Sequence, residues 1–189
     1  MKCAIKALSM CLLLSAAMVW AKDKVILPDA CGDESLLFKV EDNGSHPPLT
    51  TLEPGKALIV IGHIKQGPGT DLFNIRIGMD GAWTGALNST KNDYFAFSVS
   101  PSEHHFCATF GAHKLLGNPS MMFSFASPER IQTLTLNVEA GRIYYLEAKQ
   151  TVIPNGNSSL SSFSLGQLSE DDGKFMVKSR DYATSTPKK

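Results

Sequence analysis

Apolar residues fall into short runs along the chain, and polar turn residues separate one run from the next. The longest run, Ala57–Ile64 (ALIVIGHI), is almost wholly apolar and rich in β-branched side chains, which favours a fully buried central strand over a helix. Asn74–Met79 (NIRIGM) alternates apolar and polar positions, as a strand with one buried face does. Asp80-Gly81 is a hairpin turn motif, and Ala82–Leu87 is expected to be the return strand.

The same reasoning predicts further strands at Leu36–Val40, Tyr94–Val99, His104–Phe110, Met121–Ala126, Ile131–Val138 and Arg142–Lys149. Ser100–Glu103 contains a proline and is expected to be a second hairpin turn. Pro154–Ser162 is rich in Gly, Asn and Ser and is expected to be a loop. Short strands with turns at intervals of about 8–12 residues are typical of an all-β fold, here an antiparallel β-sandwich or an open barrel.

Only the C-terminal region has the pattern of a helix. Ser169 suits an N-cap position and Glu170–Asp172 places acidic residues in the first turn. We therefore predict a short helix over 169–182 and a flexible tail over 183–189. The side chains expected to pack inward from the helix are Phe175, Met176 and Tyr182.

The first residues (MKCAIKALSMCLLLSAAMVWA) have the organisation of a secretory signal peptide. Lys2 and Lys6 precede the uncharged apolar run Ala7–Val19, and Val19–Ala21 fits the small-x-small cleavage rule. We predict that residues 1–21 are removed and that the mature chain is periplasmic or extracellular. No second run long enough to span a membrane follows.

Charge and cysteine content narrow the expected partners and the fold. Removal of Lys2 and Lys6 reduces the 18 basic residues to 16, against 18 acidic ones, so the mature chain has no basic excess with which to bind nucleic acid or an anionic membrane. Its remaining cysteines are Cys31 and Cys107, which in an exported chain are expected to form a disulfide. The chain-entropy model gives such a long closed loop roughly 4 kcal/mol of stabilisation. The expected organisation is an extended N-terminal segment over 22–54, with one short strand and tethered by this disulfide, followed by the sandwich domain over 55–168.

The stretch SPSEHHFCATF, residues 100–110, concentrates imidazole, carboxylate and thiol groups. On a strand, His105 and Cys107 share one face while His104 points to the other, so at most two of these three side chains converge on a metal, and zinc usually takes three or four protein ligands. A cysteine nucleophile would require a free thiol, which the disulfide removes. We therefore assign no catalytic residue, metal or cofactor, while a metal site or a cysteine mechanism in this stretch stays open as an alternative.

Two residues are candidates for a binding surface. Trp83 lies just past the Asp80-Gly81 turn, where it either packs across the hairpin onto Ile75 or Ile77 or is an exposed aromatic anchor of the kind that interfaces use. His105 shares the face of Cys107 and is the histidine of this stretch that we consider for contact with a ligand.

The order of four sequence motifs resembles that of the bacterial domain-of-unknown-function 2846 family. These motifs are EPGKALIVI at 53–61, MDGAWTGAL at 79–87, NDYFAFSVSPSEHHFCA at 92–108 and VEAGRIYYLEAK at 138–149. The resemblance implies an exported β-sandwich and transfers no catalytic residue. The chain departs from the family at Pro101-Ser102, where the family often has Pro-Gly, and at Gly62-His63, near which the family often has an arginine, so a ligand role tied to that arginine does not carry over.

The sequence therefore predicts an exported β-sandwich that acts as a non-enzymatic binding or envelope-associated module, with an unknown protein or envelope ligand as partner. The alternatives are a small hydrolase or metal-binding protein that uses the His104–Cys107 region, and a structural subunit of a larger envelope assembly.

Overall fold

A computed structural model describes residues 30–33, 35–44, 49, 52–64, 73–112, 131–155 and 158–188. The predicted signal peptide and the predicted strand Met121–Ala126 lie outside the described residues. The described strands are β1 (Phe38–Asp42), β2 (Ala57–Ile64), β3 (Phe73–Met79), β4 (Ala82–Asn88), β5 (Asp93–Val99), β6 (Ser102–Ala112), β7 (Gln132–Val138), β8 (Ile143–Asn155), β9 (Ser158–Gln167) and β10 (Asp181–Pro187), and the helix α1 spans Glu170–Ser179.

Two stacked sheets confirm the predicted β-sandwich. Sheet 1 has the strand order β1-β10-β5-β2-β8-β9, and sheet 2 has the order β4-β3-β6-β7. Most neighbouring strands are antiparallel, but β2 pairs with β8, and β10 with β5, in parallel. The apolar strand β2 is central in sheet 1, and seven of its positions, Ala57 to His63, are buried, as its unbroken apolar run predicts.

The main core lies between the sheets and is built by strand alternation. Ile59 and Ile61 from β2 meet Ile75 and Ile77 from β3, and Phe106 from β6 completes the centre of the core. All five side chains have no solvent exposure. Each buried side chain of this size contributes about 1.5–3 kcal/mol relative to its exposed state, so the match of the two alternating patterns holds the sheets face to face.

The helix α1 covers the outer face of sheet 1. Ser169 Oγ accepts a hydrogen bond from the backbone N–H of Asp172, which confirms the predicted N-cap. Met176 is buried against β2 and Tyr145, whereas Phe175 is 70% exposed, so the expectation that Phe175 packs inward is wrong. Phe175 directly precedes the buried Met176, and at about 100° per residue it is turned away from the sheet.

Three other expectations need correction, because neighbouring residues alone do not show which strands pair. The turn after β5 is not a hairpin turn, because β5 belongs to sheet 1 and β6 to sheet 2. The predicted loop over 154–162 is largely taken up by the antiparallel pair β8 and β9. The tail over 183–189 is not a free end, because β10 pairs with β1 along its length, from Asp42↔Ala183 to Phe38↔Pro187.

Gly173 lets α1 approach the sheet closely, because a Cβ atom at this position would overlap the ring of Tyr145. Helix propensity alone predicts that Gly173→Ala stabilises the protein by about 1 kcal/mol. We expect the opposite, a loss of about 1–3 kcal/mol from overpacking, measured as the free energy of unfolding in denaturant. Lys178→Ala, at an exposed position of the same helix, is the control and should stay within about 0.5 kcal/mol of the wild type. A more stable Gly173→Ala variant would contradict this packing.

Candidate functional site

The outer face of sheet 2 brings both sequence-predicted surface residues together. Gly78 on β3 is paired with Trp83 on β4 and with Cys107 on β6, and His105 on β6 is paired with Thr135 on β7. Paired residues and alternate residues of a strand share a face. Trp83, Cys107 and His105 therefore lie on the same side of sheet 2, opposite the core.

A disulfide between Cys31 and Cys107 attaches the N-terminal segment to this face. The two residues are 76 positions apart in the sequence, and their Cα atoms lie 5.3 Å apart, within the range that a disulfide requires. Both cysteines are buried, together with Ala30, and Trp83 packs against them. We call the described residues 30–33 and 35–38 the strap, because they run from this anchor across the face to β1.

Three side chains of sheet 2 bind the strap through its main-chain carbonyl groups. The indole Nε1 of Trp83 donates a hydrogen bond to the Asp33 carbonyl at 2.7 Å. On β3, Arg76 Nη1 donates to the Leu36 carbonyl at 3.2 Å, and Asn74 Nδ2 donates to the Phe38 carbonyl at 3.1 Å. These contacts do not depend on the strap's side chains, so the face holds a chain segment by its backbone.

Trp83 matches neither of its two predicted positions. Its ring does not belong to the core formed around Ile75 and Ile77, and it is not fully exposed either, because the strap covers part of it. The guanidinium of Arg76 lies 4.5 Å from the ring centroid, a distance that permits a cation–π interaction. Trp83 therefore already contacts a peptide segment, which is the strap of the same chain.

The remaining half of this face, on β6 and β7, is open to solvent. Its outward side chains form a polar strip of Glu103, His105, Thr133, Thr135 and Asn137, all of them exposed. The His105 ring is 58% exposed, and its Nδ1 lies 3.1 Å from the Thr135 hydroxyl. The strip therefore offers hydroxyl, amide, imidazole and carboxylate groups to a hydrogen-bonding partner.

His104 projects to the inner side of sheet 2 and joins two turns at one end of the sandwich. Its Nδ1 lies 2.6 Å from Asp80 Oδ2, and its Nε2 lies 2.8 Å from the Ser100 carbonyl oxygen and 3.0 Å from Ser102 Oγ. Asp80, with a φ of 51° in the β3–β4 turn, also accepts a hydrogen bond from the backbone N–H of His105. This network links the β3–β4 turn to the crossover between the sheets.

The order Asp80, His104 and Ser102 resembles the arrangement of a serine nucleophile, but the protons are in the wrong place. A carbonyl oxygen only accepts, so His104 Nε2 must carry a proton to bond Ser100. The same nitrogen then has no lone pair with which to take the Ser102 proton, as a general base must. The network is therefore an ion pair of His104 and Asp80 that stabilises the fold, and it does not activate the Ser102 hydroxyl.

The pKa values agree with this assignment. Burial opposes the charge on His104, but the hydrogen bonds to the Ser100 carbonyl and the Asp80 carboxylate outweigh it, so the pKa of His104 lies above its ordinary value of 6.5. Partial burial likewise opposes the charge on Asp80, while the His105 N–H and the His104 ring bring the pKa of Asp80 below 3.8. Imidazolium and carboxylate therefore coexist in the mildly acidic range.

A second polar cluster lies at the opposite end of the core. His63 on β2 is paired with Asp93 on β5, and neither has any solvent exposure. His63 Nδ1 lies 2.8 Å from the Ala148 carbonyl, and Asp93 Oδ2 accepts from the Asn88 N–H. Burial lowers the pKa of His63 and raises the pKa of Asp93 to about 7. These groups close the end of the sandwich from inside, where a ligand in solvent does not reach them.

No group of three or more His, Cys, Asp or Glu side chains that could hold a metal ion is present among the described residues. His104 and His105 point to opposite faces, and Cys107 is bonded to Cys31. The stretch that concentrated these residue types in the sequence is therefore divided between a core-side ion pair, a disulfide and an exposed surface.

The contacts of Asn74, Arg76 and Asp80 were not apparent from the sequence. The sequence shows Asn74 and Arg76 only as polar positions of an alternating strand, and it shows Asp80 only as a residue that favours a turn. The role of Asn74 and Arg76 follows only from the structure, in which both side chains are buried and need partners, and the neighbouring strap presents carbonyl groups to them.

The ion pair of His104 predicts a pH-dependent contribution to stability. The raised pKa of His104 makes this contribution complete below about pH 6.5, and it is lost as the pH rises through the higher pKa of the folded state. The lowered pKa of Asp80 has the opposite effect, so its contribution is present above about pH 3.8 and is lost on further acidification. We expect His104→Gln to cost about 1–2 kcal/mol near pH 5.5 and less near pH 8.5, measured by denaturant unfolding at both values. The control His105→Gln, on the exposed face, should show no such difference, and equal costs for His104→Gln at both pH values would contradict the ion pair.

Comparisons with known proteins do not extend these findings. No protein-family model matches the chain, and no curated protein matches it. The assignment of the outer face of sheet 2 as the candidate site thus rests on the positions of Trp83, His105 and the strap. The family resemblance of the four sequence motifs stays a prediction.

Proposed function

We propose that this protein is an exported β-sandwich that acts as a binding module, and that the outer face of sheet 2 contacts its partner. The observation that carries the proposal is the convergence of Trp83 and His105 on one face, which is half occupied by the strap and half open. Sheet edges are common sites of peptide recognition, and the polar strip includes residues of β7, the last strand in the described order of sheet 2. The expected partner is a protein or another ligand of the cell envelope.

The arrangement of the reactive side chains supports binding over catalysis. His104 donates from both ring nitrogens and Cys107 is bonded to Cys31, so neither of these two residues supplies the free lone pair or the free thiol that nucleophilic catalysis needs. A small hydrolase or metal-binding protein that uses the His104–Cys107 region is therefore the less favoured reading. A structural subunit of a larger envelope assembly stays a separate alternative, which dimers in light scattering would favour.

Export is supported by two independent features. The first residues have the sequence organisation of a signal peptide, and the Cys31–Cys107 disulfide is compatible with an oxidising compartment. Among the described residues, no helix is long and apolar enough to cross a membrane. The proposed location is periplasmic or extracellular, consistent with the resemblance to the exported domain-of-unknown-function 2846 family.

Site-specific photocrosslinking tests the proposed face. A photoreactive amino acid at Thr135, in the polar strip, is expected to give an adduct of one defined mass in the exported fraction, and His105→Ala should weaken that adduct because it removes a neighbouring contact. The same photoreactive residue at Lys178, on the exposed side of α1, is the matched control. Equal adducts at both positions, or none at Thr135, would contradict the proposal.

A further inference from the structure

The covered half of the outer face has the construction of a peptide-binding site. Trp83, Arg76 and Asn74 donate to three carbonyl groups of one chain segment, from Asp33 to Phe38. Arg76 is only 5% exposed and Asn74 only 9%. Polar groups held this far from water need partners, so these side chains are positioned for a backbone that lies across them.

The face also selects what lies across it. A Cβ atom at Gly32 would come within 2.5 Å of Trp83 Cδ1, so the residue that crosses the indole must be glycine. The segment turns at Asp33, whose carbonyl accepts from the Leu36 N–H at 3.2 Å, and it then extends to the buried Phe38. The occupant is therefore a peptide with a glycine, a tight turn and a following apolar residue.

We propose that this half of the face is a peptide-binding site whose own strap is an internal occupant locked by the Cys31–Cys107 disulfide, and that a glycine-containing peptide of a partner protein takes its place once a dithiol reductant opens the disulfide. This inference rests on the proposed function and names the partner's chemistry. In the opening step, the protein's S–S bond breaks, the dithiol supplies two electrons and two protons, and the reductant's own S–S bond forms.

The disulfide decides whether the strap or a partner peptide occupies the face. A segment tethered to its site has an effective concentration in the millimolar range for a short flexible connection, and the covalent bond adds to that advantage. A partner peptide therefore has no access to the oxidised face. Reduction detaches Cys31 from Cys107, and the carbonyl groups of a partner peptide can then replace those of the strap as hydrogen-bond acceptors.

Fluorescence anisotropy with a labelled peptide of residues 30–38, carrying serine in place of Cys31, tests this inference. The protein is the chain from Lys22 onward, used oxidised, used after reduction with dithiothreitol, and used as a Cys31→Ser, Gly32→Val double variant. Valine at position 32 overlaps Trp83, so the double variant displaces residues 30–33 of its own strap from the indole and keeps every residue of the face. We expect no binding to the oxidised protein, weak binding to the reduced one and the tightest binding to the double variant.

Two matched controls assign the binding to the face. A probe with Gly32→Val should not bind the double variant, because it meets the same overlap with Trp83. Adding Trp83→Phe to the double variant keeps a ring but removes the indole donor, and it should weaken binding about fivefold, the effect of one hydrogen bond. Trp83 is the only tryptophan from Lys22 onward, so a blue shift of its emission on binding locates the peptide independently.

Several outcomes would overturn the inference. One is that the peptide binds the oxidised protein as tightly as the double variant. Another is that binding is unchanged by Gly32→Val in the probe or by Trp83→Phe in the protein. A third is that the folded double variant does not bind the peptide. Unfolding of both the reduced protein and the double variant, detected by circular dichroism, would also overturn it, because the face would then not exist without its own strap. A failed peptide experiment beside a Thr135-specific adduct would remove the peptide site and leave the binding module in place.

Discussion

The disulfide between Cys31 and Cys107 determines which part of the outer face of sheet 2 is covered and which part is exposed to solvent. It joins residues 76 positions apart and holds the strap over a face that would otherwise be bare. Once the strap is in place, its carbonyls accept hydrogen bonds from Asn74, Arg76 and Trp83, and Gly32 leaves room for the indole. The same segment then leads into β1, which pairs with β10 and so fixes the C-terminal end of the chain. The disulfide and the β1–β10 pairing together attach both ends of the described chain to the sandwich.

Titratable groups are used at the two ends of the core in different ways. At one end, the charged pair of His104 and Asp80 joins two turns and is stabilised by its own hydrogen bonds. At the other end, burial raises the pKa of Asp93 to about 7, beside the buried His63. The first arrangement favours charges, while the second keeps charge out of the core. Neither cluster lies on the outer face of sheet 2, where the exposed polar strip lies beside Trp83 and the strap that Trp83 contacts.

The fold was predictable wherever the determinants are local. The unbroken apolar run of β2, the alternation of β3 and the cap at Ser169 are written in neighbouring residues, and the disulfide followed from a count of cysteines. Most of the errors concern which strands pair, whereas the error at Phe175 concerns which side of α1 faces the sheet. No local pattern shows that β5 and β6 belong to different sheets or that the polar residues of β10 find β1. The candidate site was predictable in part: His105 was assigned to the face of Cys107, but the strap's hold on Trp83 depends on a contact across 50 residues.

The state of Cys31 and Cys107 tests this account most directly. The chain from Lys22 onward, isolated from an exporting cell, is denatured without reductant, treated with iodoacetamide and weighed by mass spectrometry. The account predicts no alkylated cysteine before reduction and two after it, with one peptide pair linking Cys31 to Cys107. Two alkylated cysteines without reduction would contradict it, because the strap would then lack the bond that holds it on the outer face of sheet 2.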